Sequence, residues 1–201
     1  ARKMHLANLA QNPEEFENIY LNVINNTNIT SEVDLFNTVL ALEKLSIIYL
    51  AQGDYQKSID ILVNNFNKVS GKEVDLTPAL MIRVSVSYLE WGDTDKAKVY
   101  LDKYKDLVDN TQGEFYDLLK NEFKGRVNLI EGVIDAKNGD NIDSSYAKMQ
   151  KGINQMFKGK SSNEGLPIAN AMMQNFIQIG RFDYAYEMSK PIIEAYKNNF
   201  N

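Results

Sequence analysis

Apolar residues recur along this chain in steps of three and four. Leu35, Val39, Leu42, Leu45 and Ile48/Tyr49 keep that rhythm, and so do Leu80, Val84, Tyr88 and Trp91. Such steps place side chains on one face of a 3.6-residue helix. No stretch alternates with a period of two for long enough to predict a strand. Val84 to Tyr88 is the one strand-like phrase, and its neighbours keep helical period. Start and stop signals fall between the apolar runs. Asn12-Pro13-Glu14-Glu15 reads as a cap, a first-turn proline and two carboxylates that suit the positive end of a helix. Ser31 or Thr30 caps the next helix, Thr77-Pro78 opens another, and Thr111-Gln112-Gly113-Glu114 breaks the chain before a long one. The pattern predicts helices over 2–11, 13–26, 32–51, 54–69, 77–91, 94–109, 114–138, 142–157, 166–179 and 182–199, with no strands. The segment 158–165 reads as a loop.

Four of these helices run into a glycine turn, at Gly53, Gly92, Gly139 and Gly180, and a second helix follows each turn. Seven residues before the glycines stand Ser46, Ser85, Gly132 and Met173. Four before stand Tyr49, Tyr88, Asp135 and Phe176. Five after stand Ser58, Ala97, Ser144 and Ala185. A small residue late in one helix then faces a small residue early in the next, which lets the two approach closely. An aromatic and a large aliphatic residue fill the wedge with the following pair. Around Gly139 the register fits better with one extra turn residue, which makes Ser145 and Gly152 the small positions.

This pattern resembles the tetratricopeptide repeat. The resemblance is strong around Gly53 and Gly92, on Leu42, Leu45, Ser46, Tyr49, Ser58 and Leu62, then Val84, Ser85, Tyr88, Ala97 and Leu101. It is fair around Gly180 and poor around Gly139, where Asp135 takes the aromatic place. Residues 2–26 read as one more degenerate pair. The glycines lie 39, 47 and 41 residues apart, against the family's roughly 34. The resemblance implies a single all-α domain over 1–201, a right-handed superhelical array of antiparallel pairs at about 2–26, 32–69, 77–109, 114–157 and 166–199, irregular in length.

In tetratricopeptide arrays the first helices line a concave groove that takes a peptide or a helix. Carried over by position from the glycines, the groove falls on Glu43, Ile47 and Leu50, then Ile82, Val86 and Leu89, then Leu129, Val133 and Ala136, then Asn170, Gln174 and Ile177. The first three pairs offer an apolar lining, suited to an apolar segment of a partner. The competing reading is that these residues are core. The two-carboxylate clamp of chaperone-tail-binding members would fall on Glu43 and Ile47, Arg83, and Arg126 and Ile130. Only Arg126 has suitable chemistry there, so that clamp is rejected. Arg83 and Arg126 remain candidate anchors for an acidic group, against the blander reading of solvated or internally paired arginines.

Charge and composition narrow the classes. A net charge of −5 with no basic stripe argues against nucleic acid. No apolar run reaches the roughly 18–20 residues of a membrane helix. With no cysteine, disulfides and thiol chemistry are excluded. His5 is the only histidine and has no second ligand nearby. Glu131 and Asp135 lie one turn apart but lack a third group, so they read as a solvated acidic face. The stretch Asp135 to Asp143 lacks the spacing of a calcium loop. No phosphate loop, dinucleotide fingerprint or serine elbow occurs. Trp91 reads as a packing plug between pairs more than as a contact hot spot. Met172-Met173 reads as core between pairs.

The expectation is a non-enzymatic scaffold without cofactor or metal that binds a protein or peptide partner. The chain begins at Ala1, which reads as a processed or cut end. With its acidic, cysteine-free composition it resembles bacterial envelope members of the family that assist assembly or secretion. The alternatives are a cytoplasmic secretion chaperone holding an apolar segment, and a homo-oligomer whose apolar strip is its own interface. Least favoured is an enzyme or small-ligand carrier built on Arg126, Glu131 and Asp135.

Overall fold

The computed structural model describes residues 13–71, 76–110, 114–157, 173–174, 177 and 180–200. The expected helix 2–11 with His5, the 158–165 loop and most of the expected helix 166–179, Asn170 and Met172 included, lie outside them. The described residues form helices and no strand: α1 Pro13–Asn26, α2 Glu32–Ala51, α3 Tyr55–Val63, α4 Phe66–Val69, α5 Thr77–Trp91, α6 Thr94–Asn110, α7 Glu114–Lys137, α8 Ile142–Phe157 and α9 Phe182–Phe200. Most boundaries fall within a residue of those read from the caps and glycines. The exception is 54–69, expected as one helix. The Asn65 amide donates 2.8 Å to the Ile61 carbonyl, and the chain turns at Asn64-Asn65 between α3 and α4. Asparagine side chains compete with the backbone for such bonds and so weaken a helix interior.

The helices gather into two compact units, Ala1–Tyr104 and Lys105–Asn201. In the first, α1 packs on α2, α2 on α3, and α3 on α5. Its core is made by Ile24 of α1, Leu35, Leu42 and Leu45 of α2, Leu62 of α3, and Leu80 and Val84 of α5, all buried. The turn glycines take left-handed φ values, 79° at Gly53 and 91° at Gly92. That lets the next amide reach back five residues, Asp54 to the Tyr49 carbonyl and Asp93 to the Tyr88 carbonyl, both at 2.9 Å. The orphan carbonyls of each helix end are closed this way.

The small residues meet as expected, and they are joined by hydrogen bonds. Ser46 and Ser58 hydroxyls lie 2.9 Å apart, Ser58 and Ser87 3.0 Å apart, and Ser87 donates to the Arg83 carbonyl. All three serines are buried. Because the Ser87 proton is used on Arg83, Ser87 accepts from Ser58, and Ser58 accepts from Ser46. The relay runs one way across α2, α3 and α5. Ser58→Ala leaves the Ser46 proton without its acceptor and should cost about 1–3 kcal/mol in denaturant unfolding. Removing all three hydroxyls together should cost no more than that single change, because no buried partner is then stranded.

The second unit is built on α7 and α8, and their contact is closer than any side-chain packing allows. Gly125 lies against Gly152, and Gly132 against Ser145. A Cβ on Gly152 would stand 2.5 Å from the Gly125 carbonyl oxygen and 2.7 Å from the Leu129 amide nitrogen. The two contacts are seven residues apart on each antiparallel helix, the 3.5-residue period that keeps one seam facing its partner. Met149 and Met156 close over the glycines. Polar pairs flank the seam at the same interval. Asn128 donates to Gln155 at 2.7 Å, and Lys148 to Asp135 at 2.6 Å.

Candidate functional site

Helix α2 is apolar around most of its circumference. One face is core. On another, Val33, Phe36, Leu40 and Ile47 are 67, 45, 50 and 38 % exposed. Their steps of three, four and seven keep them on one stripe. Glu43 and Leu50, both half-buried, continue it. A helix apolar all round belongs inside a protein unless one side has a use. The helix is held firmly at its start. Ser31 accepts from the Asp34 amide at 3.2 Å, and the Asp34 carboxylate accepts from the Ser31 and Thr30 amides. The Ser31 hydroxyl, which donates to the same carboxylate at 2.8 Å, and then the Thr30 amide and hydroxyl hold the Asp34 carboxyl below its ordinary range.

The other expected groove residues divide by burial. In α5, Ile82 and Leu89 are buried, while Arg83 and Val86 are half-buried. Helix α5 is covered on most sides, with Leu80, Val84, Ser85 and Ser87 buried too. In α7, Leu129 and Val133 are buried and Arg126 is half-buried. Leu129 has no room to turn outward, because its backbone lies against Gly152. Gln174 and Ile177 are exposed. Of the expected groove residues in α2, α5 and α7, Ile47 on the α2 stripe is exposed, and Glu43, Leu50, Arg83, Val86, Arg126 and Ala136 are half-buried. Val33, Phe36 and Leu40 lie outside the groove positions carried over from the glycine, which reach only to Glu43. The signal was there in a second apolar set in α2, offset from the core set.

The charged candidates are engaged. Arg126 donates to Glu122 at 2.6 Å, one turn away. Glu131 lies 3.5 Å from Lys105. Asp135 holds Lys148 and pushes its ammonium upward in pKa. Each acid of the Glu131/Asp135 pair thus has its own lysine, and the Glu131 charge also bears on Lys148. Among the described residues no group of side chains is arranged to hold a metal ion. No helix among them is long and apolar enough to cross a membrane. A shallow depression on α8, lined by Ala147, Gln150, Lys151, Asn154 and Gln155, brings no acid–base pair together.

Trp91 packs between helices and keeps part of its surface open. Its ring lies nearly parallel to Tyr55 of α3 and to Tyr88, each with centroids 6.3 Å away, so it bridges consecutive pairs. It is also still 44 % exposed. Tyr49, buried in α2, donates to Glu17 of α1 at 2.9 Å. Burial, then the Glu17 carboxylate, push the Tyr49 phenol up to about 12. A phenol raised in the fold stabilises it fully below the ordinary tyrosine range near 10 and loses that contribution as the pH climbs to about 12. Tyr49→Phe should therefore lower the loss of stability between about pH 10 and 12 by on the order of 2 kcal/mol, read by urea unfolding at several pH values. An equal loss in both proteins would contradict it.

Comparison of the chain with family models, with curated proteins and with solved structures gives no match.

Proposed function

We propose that this chain is a non-enzymatic scaffold of tetratricopeptide-like helical pairs that docks an apolar segment of a partner protein on the outer stripe of α2. The observation that supports it most is the exposure of Val33, Phe36, Leu40 and Ile47 on a helix whose opposite face is core. Steps of three, four and seven suit an amphipathic helix laid alongside, with anchors at matching intervals. Half-buried Leu50 extends the stripe on the same helix.

The test is a crosslinking pull-down with the whole chain and with Ile47→Glu, after circular dichroism has shown equal helix content. Ile47 is exposed, so the variant is expected to fold. Specific partners held by the parent and lost by the folded variant support the reading. Partners held equally by both overturn it.

A further inference from the structure

We propose that the occupant of the α2 stripe is an α-helix of another protein, apolar at heptad spacing, with a lysine or arginine set against Glu43. This rests on the docking reading above and names the chemistry of the partner.

The spacing of the stripe calls for a helix. Val33, Phe36, Leu40, Glu43, Ile47 and Leu50 stand at steps of three, four, three, four and three. Those are the steps of a coiled-coil seam, sustained over about 25 Å of helix. The core set of α2 is complete without them, with Leu35, Leu42, Leu45 and Tyr49 buried on the other face.

Glu43 sets the charge of the partner. It holds an inner place of the seam, with Leu40 and Ile47 one turn to either side. It is half-buried, and among the described residues it makes no hydrogen bond or ion pair. Lys44, the next residue, lies about 100° further round the helix, on the flank of the seam. A helix laid over the stripe strips water from the Glu43 carboxylate, and a cation in the facing layer replaces that water. One charged residue in an otherwise apolar seam selects register and partner at some cost in affinity. A second copy of α2 does not meet the demand. Laid parallel and in register, it sets Glu43 against Glu43. Laid antiparallel, it sets each Glu43 against Leu40. No place on the seam carries a cation, so no other register of a second copy supplies one.

The probes are fluorescein-labelled helical peptides of about 18 residues, the length of the stripe. Each carries six places at the seam steps, five of them leucine or isoleucine, and a side-chain lactam on its outer face. In one pair of peptides the third place is lysine or glutamate, which meets Glu43 in an antiparallel helix. In a second pair the fourth place is varied, which meets it in a parallel one. Each is titrated with the whole chain and read by anisotropy. In one pair the lysine form is expected to bind about tenfold or more tighter than the glutamate form. Glu43→Lys is expected to reverse that order, and Ile47→Glu to weaken the lysine form about tenfold or more. Circular dichroism checks the fold of each variant. No binding, or lysine and glutamate forms that bind alike in both pairs, overturns the proposal. Alike binding that Ile47→Glu abolishes leaves the stripe a docking surface and removes only this occupant. A preference for lysine that survives Glu43→Lys also overturns it, because a net charge of −5 attracts any cation. Self-association of the chain that Ile47→Glu abolishes overturns it as well, by assigning the stripe to a second copy.

Discussion

Gly152→Ala is expected to destabilise the second unit by about 1–3 kcal/mol net, although alanine is the better helix former by about 1 kcal/mol. The new methyl would stand 2.5 Å from the Gly125 carbonyl oxygen and 2.7 Å from the Leu129 amide nitrogen. Both are backbone atoms of a 24-residue helix, so no side chain can rotate out of the way. The helices must part by nearly an ångström, which opens the packing of Met149, Met156 and Leu129 along the seam. Gly139→Ala fails for another reason. Its added Cβ meets nothing within 4 Å, but its φ of 81° is left-handed, which costs an L-residue about 1–2 kcal/mol. Asparagine tolerates that conformation. Gly139→Asn should therefore recover much of the loss, whereas no side chain should rescue position 152. Thermal or urea unfolding of the four proteins separates the two mechanisms. Equal behaviour of Gly152→Ala and the parent would mean that the α7–α8 seam is looser than described.

Leu45→Ala is expected to cost the first unit about 2–5 kcal/mol. Leu45 has no exposed surface and sits on α2 within the cluster formed with α1, α3 and α5. Neighbours from so many elements cannot collapse together into the space left behind, so a cavity term adds to the lost transfer energy. Leu40→Ala, five residues earlier and on the opposite face of the same helix, removes the same atoms from an exposed place. It should change stability by less than about 0.5 kcal/mol. The contrast checks the assignment of the two faces of α2 by urea unfolding alone. Similar losses at both positions would show that the outer stripe is core.

Much of the helical plan was legible, because local chemistry writes it. The left-handed turns at Gly53, Gly92 and Gly139 need glycine, and Ser31 with Asp34 closes a cap within four residues. The small-residue contacts were legible too, down to the one-residue shift that makes Ser145, and not Ser144, the buried partner. Gly125 was not, since no turn marks it. Only its interval of seven from Gly132 gives it away, and that becomes meaningful once Ser145 and Gly152 are seen to share it. The break at Asn64-Asn65 was hidden because the apolar residues on either side keep helical period. Burial was the least legible property. Ile82, Leu89, Leu129 and Val133 read like Ile47 in position and type, yet they are covered while Ile47 is open. What covers a helical residue comes from elements distant in sequence, and the repeat pattern carries no record of that.

The measurement that tests the docking reading most directly is photo-crosslinking in cells of the source organism. A photoreactive phenylalanine replaces Leu40 or Ile47 on the α2 stripe, and Gln56, exposed on α3, as the control. The same discrete adduct is expected from positions 40 and 47 and none from 56. No adduct from 40 and 47, or an equal yield from all three positions, would contradict the claim that the outer stripe of α2 holds a partner.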